Sequence, residues 1–268
     1  MTRISAKFDQ LRREGRKGFI AYLTCGDPHV EATVEEVLLL ERAGVDIIEL
    51  GMPFSDPLAD GKVNQAAADR ALRSGTTVSR FLDTVKTIRR SSGIPIVLFS
   101  YLNPLIAHDF RRLCRKAARS GLDGMLILDL PVEESRMFSQ DLKRAGLDHI
   151  FLVAPTSPDE RIRKIARASS GFVYCISLEG VTGMRDELGG DARRLVERTR
   201  RFTSLPIALG FGIATPRQAA RVAEYADAVV VGSAIVDRFF REGDSRAGRQ
   251  RAAAWVRELV RAVKGVEA

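Results

Sequence analysis

Cysteine and long apolar runs are scarce in this chain of 268 residues. The three cysteines, Cys25, Cys114 and Cys175, have neither a pairable nor a metal-like spacing, which predicts free thiols in a reducing compartment. No apolar run approaches the ~20 residues of a membrane-spanning helix. Residues 1–17 lack the apolar core of a signal peptide. We therefore expect a cytoplasmic protein that does not enter a membrane.

Aromatic residues are also few, at 7% of the chain, although the formal net charge is +8. A positive charge of this size first suggests nucleic-acid binding. Single-stranded nucleic acids, however, stack on aromatic side chains placed among basic ones. Here the arginines are scattered over helix-like stretches without such aromatic residues. The composition favours a solvated, arginine-rich surface and no nucleic-acid partner.

Short apolar segments alternate with longer amphipathic ones along the chain, which is the pattern of repeated βα units. Strands are predicted at 19–23, 47–51, 94–99, 124–128, 149–153, 172–177, 206–210 and 228–232. Helices are predicted at 29–43, 66–90 in two pieces, 110–120, 133–145, 159–168, 192–201, 216–225 and 249–264. Eight units in a chain of this length favour one (β/α)8 TIM barrel domain over residues 1–268, although the pattern alone also permits an open doubly wound sheet.

Three further local patterns refine this architecture. Ile4, Phe8 and Leu11 share one helical face, which predicts a short N-terminal helix that caps the domain. A short apolar helical stretch, 235–240, follows the eighth strand. The joints between helix and strand at 43–46, 120–123 and 145–148 share a glycine, an apolar residue and an aspartate. Glycine suits the left-handed residue that ends a helix, so the joints indicate one repeated unit.

The C-terminal ends of the strands are where barrels of this class carry out chemistry. Glu49 ends the second strand and Asp60 lies in the following loop. Taken alone, Glu49 has an equally ordinary explanation, a strand-end acid paired with a neighbouring arginine. Tyr101 and Asp129 also follow strand ends. The motifs in the rest of the sequence distinguish between these explanations.

Glycine-rich segments follow three consecutive strands, the sixth to the eighth. They are 180–183, 210–213 and 232–234. Backbone N–H groups exposed by glycine, together with the start of a short helix, form an anion site, and barrels of this class often bind phosphate there. The loop at 178–191 is long enough to act as a lid.

Lysine and histidine are poorly placed for two common barrel chemistries. Of eight lysines, only Lys62 is predicted to lie in a loop, which disfavours Schiff-base catalysis. His29, His108 and His149 lie at predicted helix or strand starts, which disfavours a histidine-ligated metal. A phosphate site facing two carboxylates then suggests proton-driven cleavage or isomerisation of a phosphorylated small molecule.

The segment from Glu49 to Gly61, Glu-Leu-Gly-Met-Pro-Phe-Ser-Asp-Pro-Leu-Ala-Asp-Gly, resembles the signature of the tryptophan synthase alpha subunit family. Further motifs of this family follow in the right order and cover nearly the whole chain: 23–28, 129–135, 180–183, 210–213 and 232–236. The resemblance implies a (β/α)8 barrel and a lyase of tryptophan biosynthesis. Its reaction is the retro-aldol cleavage of indole-3-glycerol phosphate to indole and glyceraldehyde 3-phosphate.

The resemblance also implies a role for individual residues. Glu49 would protonate the indole ring carbon, and Asp60 would hold the indole N–H and stabilise positive charge on the ring. The implied substrate-binding residues are Tyr22, Phe99, Leu126, Leu152 and Tyr174 around the indole, Thr182 closing on Asp60, Phe211, and Gly183, Gly212, Gly232 and Ser233 at the phosphate. No metal and no cofactor is implied in this chain.

A partner is implied as well. Family members work with a beta subunit that carries pyridoxal phosphate (PLP) and receives indole through a tunnel. We expect an α2β2 heterotetramer whose contacts use loops containing Asp56, Pro57, Asn103 and Pro131.

The environments of the two acids support separate roles. Apolar neighbours of Glu49 predict a raised pKa, whereas a polar loop around Asp60 predicts an ionised carboxylate. The chain departs from the family at Lys62 and Asn64, where a proline and an apolar residue are usual, so we expect a looser loop with a cation beside Asp60. Two alternatives remain open: another phosphate-binding barrel, such as an isomerase, and a catalytically weakened allosteric partner of the beta subunit.

Overall fold

The computed structural model describes residues 2–177, 190–210 and 212–265. The helices in this part of the chain are α1 (Arg3–Arg13), α2 (Val30–Ala43), α3 (Lys62–Arg73), α4 (Val78–Arg89), α5 (Leu102–Ile106), α6 (Phe110–Ser120), α7 (Arg136–Ala145), α8 (Asp159–Ala168), α9 (Gly190–Arg200), α10 (Pro216–Ala223), α11 (Ser233–Glu242) and α12 (Arg246–Lys264). The strands are β1 (Gly18–Thr24), β2 (Ile47–Gly51), β3 (Ile96–Ser100), β4 (Gly124–Ile127), β5 (Asp148–Ile150), β6 (Leu152–Val153), β7 (Val173–Ile176), β8 (Ile207–Gly210) and β9 (Ala228–Val231).

All nine strands belong to one parallel sheet, in the order β5-β4-β3-β2-β1-β9-β8-β7-β6. β5 and β6, at its two ends, are consecutive segments of the chain separated only by Phe151. One interrupted strand therefore brings the two ends of the sheet together in a nearly closed barrel. The predicted (β/α)8 class is confirmed, and the predicted strand at 149–153 is the one that is split.

Alternate strand residues point to opposite sides of the sheet, which separates two apolar cores. One core lies between the sheet and the surrounding helices. The other lies inside the barrel and contains Ile20, Ile47, Val97, Leu126, Ile150, Phe172, Tyr174, Ala208, Ala228 and Val230, together with Ile4, Phe8 and Leu11 of α1. Phe8 packs on Phe172 with ring centroids 5.8 Å apart. As predicted, α1 caps the barrel, and it does so at the end where the strands begin.

The repeated joints end their helices as predicted. Gly44, Gly121 and Gly146 follow α2, α6 and α7 with φ of 98°, 95° and 75°, a left-handed conformation that favours glycine. The aspartates of these joints have a second function that the pattern did not indicate. The carboxylate of Asp46 accepts a hydrogen bond from the N–H of Phe19 at 2.9 Å. Asp123 accepts one from the N–H of Ile96 in the same way, so these two joints are tied to the start of the preceding strand, whereas Asp148 accepts a hydrogen bond from the Thr2 hydroxyl.

Two local differences from the predictions concern the loops after β2 and β3. Lys62 is the first residue of α3 and not a loop residue, because Gly61, with φ −73° and ψ 162°, already serves as the N-cap. α5 was not predicted, since five residues are too few for a helical periodicity. No helix in the described ranges is long and apolar enough to cross a membrane.

Candidate active site

Glu49 lies in β2 with its side chain inside the barrel, in register with Tyr22 of β1 and Val97 of β3. The residue is 1% exposed, and its Oε1 has no hydrogen-bond partner among the described residues. Burial raises the pKa of Glu49 to about 8. A carboxyl group with this pKa is protonated at neutral pH and is a suitable proton donor. Burial alone shifts the pKa of Glu49, and its Oε1 has no partner, so the salt-bridge explanation does not hold in the described part of the chain.

Asp60 lies in the loop between β2 and α3 and is half-buried. The Tyr101 hydroxyl donates a hydrogen bond to Asp60 Oδ2 at 3.0 Å and accepts one from the Ala59 N–H at 2.9 Å. Burial raises the pKa of Asp60, and hydrogen bonds from Tyr101 and Asn64 oppose that rise. The structure therefore corrects the expectation of a wholly polar loop: both acids have raised pKa values, and the two differ in their hydrogen bonding.

Lys62 does not have the effect expected from its position in the sequence. It is exposed at the start of α3 and makes no ion pair with any described residue. The pKa of Asp60 responds to burial, Tyr101 and Asn64 instead. The two departures from the family pattern thus differ, because Asn64 lowers the pKa of Asp60 and Lys62 is not among the causes of its shift.

The side chains predicted to surround an indole line the same end of the barrel. Tyr22 and Phe99 meet edge to face with ring centroids 5.1 Å apart. Leu126 and Tyr174 belong to the interior core, and Leu152 packs against it. Burial raises the pKa of Tyr22, and the nearby charges of Asp60 and Glu49 raise it further. Both carboxylates therefore lie close to one aromatic wall.

Two glycines make room for this wall. A Cβ atom at Gly51 would overlap the Tyr22 hydroxyl, and one at Gly210 would overlap the Tyr174 hydroxyl. Each phenol thus lies directly on the backbone of a neighbouring strand, which only glycine permits.

The predicted phosphate end lies next to the aromatic wall. α11 begins at Ser233, and its N-cap, Gly232, supplies no side-chain hydrogen bond to the first turn. The first N–H groups of such a helix have no intrahelical acceptor and favour an anion. A Cβ at Gly232 would be 3.6 Å from the Tyr22 Cβ, and Gly212 has φ 73°. Three predicted site residues, Thr182, Gly183 and Phe211, lie outside the described residues, as do residues 178–189 of the predicted lid.

The other polar candidates make hydrogen bonds or helix caps that stabilise the fold. Asp129 Oδ1 accepts a hydrogen bond from the N–H of Leu102 at 2.6 Å, at the start of α5. His149 is buried with Nδ1 at 2.8 Å from the Ser139 hydroxyl, and burial lowers its pKa to about 4. His29 is the N-cap of α2. In the ranges that the structure covers, no group of three or more His, Cys, Asp or Glu side chains could hold a metal ion.

Two site residues were not assigned from the sequence. Tyr101 was only a strand-end candidate, because a contact across 41 residues with Asp60 has no local signal. Asn64 was visible as a departure from the family pattern, but its effect on the pKa of Asp60 depends on how α3 begins.

Comparison with known proteins gives a consistent result. The family model for the tryptophan synthase alpha chain matches residues 8–264. The chain is 46% identical to the tryptophan synthase alpha chain of Geobacter sulfurreducens over 250 residues, which are 93% of this chain and 95% of that protein. It is also 46% identical to that of Solibacter usitatus over 261 residues, 97% of this chain and 98% of that protein.

Solved structures agree with the sequence relatives. Tryptophan synthase subunit alpha from Legionella pneumophila superposes with a TM-score of 0.91 at 32% identity, over 98% of both chains. A chain of the aminoacrylate-bound tryptophan synthase from M. tuberculosis gives a TM-score of 0.88 at 34% identity, over 98% of this chain and 100% of that one.

Proposed function

Because this chain belongs to the tryptophan synthase alpha chain family, whose members are lyases that split indole-3-glycerol phosphate, we propose that Glu49 and Asp60 perform this cleavage at the mouth of the barrel. The observation that carries the proposal is the Glu49 carboxyl group, which is buried beside an aromatic wall without a hydrogen-bond partner for Oε1 among the described residues. A pKa of about 8 lets this group both give and take a proton near neutral pH.

The proposed reaction has two proton transfers. Glu49 first gives its proton to the indole ring carbon that bears the side chain, while Asp60 accepts a hydrogen bond from the ring N–H and stabilises the positive charge. The Glu49 carboxylate then takes the proton of the adjacent side-chain hydroxyl as the carbon–carbon bond breaks. The bond electrons return to the ring, so indole and glyceraldehyde 3-phosphate leave and Glu49 is protonated again.

We propose that the remaining predicted residues bind the substrate. Tyr22, Phe99, Leu126, Leu152 and Tyr174 would enclose the indole, and their shared location inside the barrel supports this. The start of α11 with Gly232 and Ser233, together with Gly212, would bind the phosphate. Thr182, Gly183 and Phe211 stay predictions. The steps above need only proton transfers, so we propose no cofactor in this chain.

Family membership implies a tryptophan synthase complex with a beta subunit. We propose that this subunit carries PLP, forms an α2β2 heterotetramer, and binds the loops of Asp56, Pro57, Asn103 and Pro131. Three large apolar side chains near these loops support the location: Leu58 is 93% exposed, Ile106 49% and Met137 67%. Exposed apolar side chains at one end of a barrel are typical of an interface. Three buried, free cysteines agree with a reducing cytoplasm.

One assay separates this function from its alternatives. The purified chain is incubated with indole-3-glycerol phosphate, first alone and then with a beta subunit and serine. We expect indole release that rises with the partner. No release under either condition would indicate a catalytically weakened partner, and turnover of only another phosphorylated substrate would indicate an isomerase.

A further inference from the structure

The helices α3 and α11 carry two parts of the proposed site and lie against each other. α3 begins two residues after Asp60, and α11 begins at Ser233. Near these starts, Ala67 of α3 and Val236 of α11 pack with Tyr22 in one small apolar cluster. The position of α3 relative to α11 therefore sets the spacing between Asp60 and the proposed phosphate site.

Arg70, in the last turn of α3, joins three segments of the fold. Its Nε and Nη2 donate hydrogen bonds to the two carboxylate oxygens of Asp27, each at 2.7 Å. Its Cζ lies 4.2 Å from the ring centroid of Phe240 on α11. Asp27 belongs to the turn between β1 and α2, and only 10% of its side chain is exposed. One guanidinium group thus holds α3, α11 and this turn together.

The turn that receives Arg70 is itself held from two sides. The Ser74 hydroxyl, at the C-cap of α3, donates a hydrogen bond to the backbone oxygen of Gly26 at 2.9 Å. The N–H of Gly26 donates to the hydroxyl of Thr33 on α2, also at 2.9 Å. Gly26 has φ 89°, and a Cβ atom there would overlap the hydroxyl of Thr76, so the turn needs a glycine at this place. Arg70 is therefore anchored to a backbone that two helices fix.

The contacts of Arg70 exceed what the end of a helix needs. A lysine would also complement the partial negative charge at the C-terminal end of α3. It would form neither a two-point bond to a carboxylate nor a flat stack on an aromatic ring. Phe240 is 59% exposed, and its ring lies on the guanidinium group. The arrangement thus fixes a distance and an orientation between two helices, and not only a charge.

We propose that Arg70 is a positioning residue, which fixes α3 against α11 so that the Asp60 carboxylate keeps its place when a phosphate group binds at the start of α11. The proposal rests on the proposed function, in which Asp60 stabilises the ring and α11 binds the phosphate. An α-helix rises about 1.5 Å per residue, so Arg70 acts on the Asp60 loop over about 12 Å of stiff helix. A small tilt of α3 would move Asp60, and a misplacement of about 1 Å lowers a rate by up to about 10²-fold.

Arg70→Lys tests this role, since it keeps the charge and loses the two-point bond. kcat and KM for indole-3-glycerol phosphate are measured in the complex with a beta subunit. We expect kcat to fall about 10-fold and KM to change less than about threefold, because the phosphate site itself stays intact. Phe240→Leu removes only the ring and should lower kcat about threefold. Arg73→Lys, at an exposed position in the same turn of α3, is the matched control and should change neither quantity.

Two tyrosines report on the same coupling without substrate. The chain has four tyrosines, and 3-fluorotyrosine labelling gives each a ¹⁹F resonance that phenylalanine variants assign. Tyr22 lies beside Gly232 and reports phosphate binding, whereas Tyr101 bonds Asp60 and reports its loop. When inorganic phosphate is titrated into the free chain, we expect both resonances to move with one midpoint. In Arg70→Lys, we expect Tyr22 to move as before and Tyr101 to respond no longer.

An unchanged kcat of Arg70→Lys would overturn the proposal, as would a fall in kcat with the Tyr101 response retained, which is the result of lost stability alone. A Tyr101 resonance that ignores phosphate in the wild type would overturn it too. If Arg70→Lys does not fold, Phe240→Leu takes its place in the titration. The titration needs no substrate, so it decides the role of Arg70 even if the wild-type chain releases no indole. A Tyr22 resonance that ignores phosphate would overturn both this role and the phosphate site of the proposed function.

Discussion

Glu49 and Asp60 show how far single residues can be interpreted from the sequence. The apolar run around Glu49 predicted its burial, because an unbroken apolar run is typical of a strand that is buried on both faces. The environment of Asp60 could not be predicted in this way, since it depends on Tyr101, which follows β3, and on the first turn of α3. The local sequence pattern therefore identified both acids as candidates, but it predicted the surroundings of Glu49 only.

Burial of Glu49 has a consequence for stability that is separate from catalysis. Its folded pKa is about 8 against 4.5 for the free group, so between these values the folded chain holds a proton that the unfolded chain has lost. Stability should therefore fall as pH rises through this window. The glutamine side chain of Glu49→Gln cannot ionise. We therefore expect the unfolding free energy of the variant, relative to that of the wild type, to rise by about 1.4 kcal/mol per pH unit.

Urea denaturation at several pH values between 5.5 and 7.5 measures this difference. Glu258→Gln, on an exposed position of α12, is the control and should run parallel to the wild type. Parallel curves for Glu49→Gln and the wild type would show that Glu49 is not buried as the structure has it.

At the scale of elements, the repeated joint between helix and strand was visible in the sequence as a glycine and an aspartate. The role of the glycine followed from the sequence, and the role of the aspartate did not. Left-handed glycine was predictable because few other residues tolerate that conformation. The aspartates were not, since Asp46 and Asp123 accept hydrogen bonds from strands that begin far away in the chain, and Asp148 accepts one from the Thr2 hydroxyl. Asp123 bonds the N–H of Ile96 at 2.8 Å and also pairs with Arg89 at 2.6 Å.

Asp123→Ala should therefore destabilise the barrel. It leaves the largely buried Arg89 guanidinium without its carboxylate, and breaking a buried pair costs about 3–5 kcal/mol. Thermal or urea unfolding measures the loss. Asp83→Ala removes an exposed pair with Lys86 and should cost less than about 1 kcal/mol. Equal losses for the two variants would contradict the joint's role.

The exposed apolar side chains give a prediction about the partner. Met137→Asp, at the start of α7, should weaken binding of a beta subunit by about tenfold, because a charge would be buried at the interface. Indole release by the free chain should stay unchanged. Titration calorimetry or activation curves measure the affinity. Ala254→Asp on α12 adds the same charge elsewhere and should bind normally, and equal binding by both variants would place the interface elsewhere.

At the scale of the whole molecule, alternating periodicity predicted the number of units and the class of fold. It could not decide between a closed barrel and an open sheet, because closure depends on pairing between strands far apart in sequence. The parallel pairing of β1 with β9 illustrates this, since the two strands lie near opposite ends of the chain. That residues 1–268 form a single domain stays a prediction.

Indole release from indole-3-glycerol phosphate by Glu49→Gln, in complex with a beta subunit, tests the proposed chemistry most directly. The variant keeps the size of the side chain and loses its proton. Asp69→Asn, at an exposed position of α3, is the control and should match the wild type. We predict that Glu49→Gln releases indole about 10²–10⁴-fold more slowly than the wild type. A rate near that of the wild type would contradict the role of Glu49 as the acid that splits the substrate.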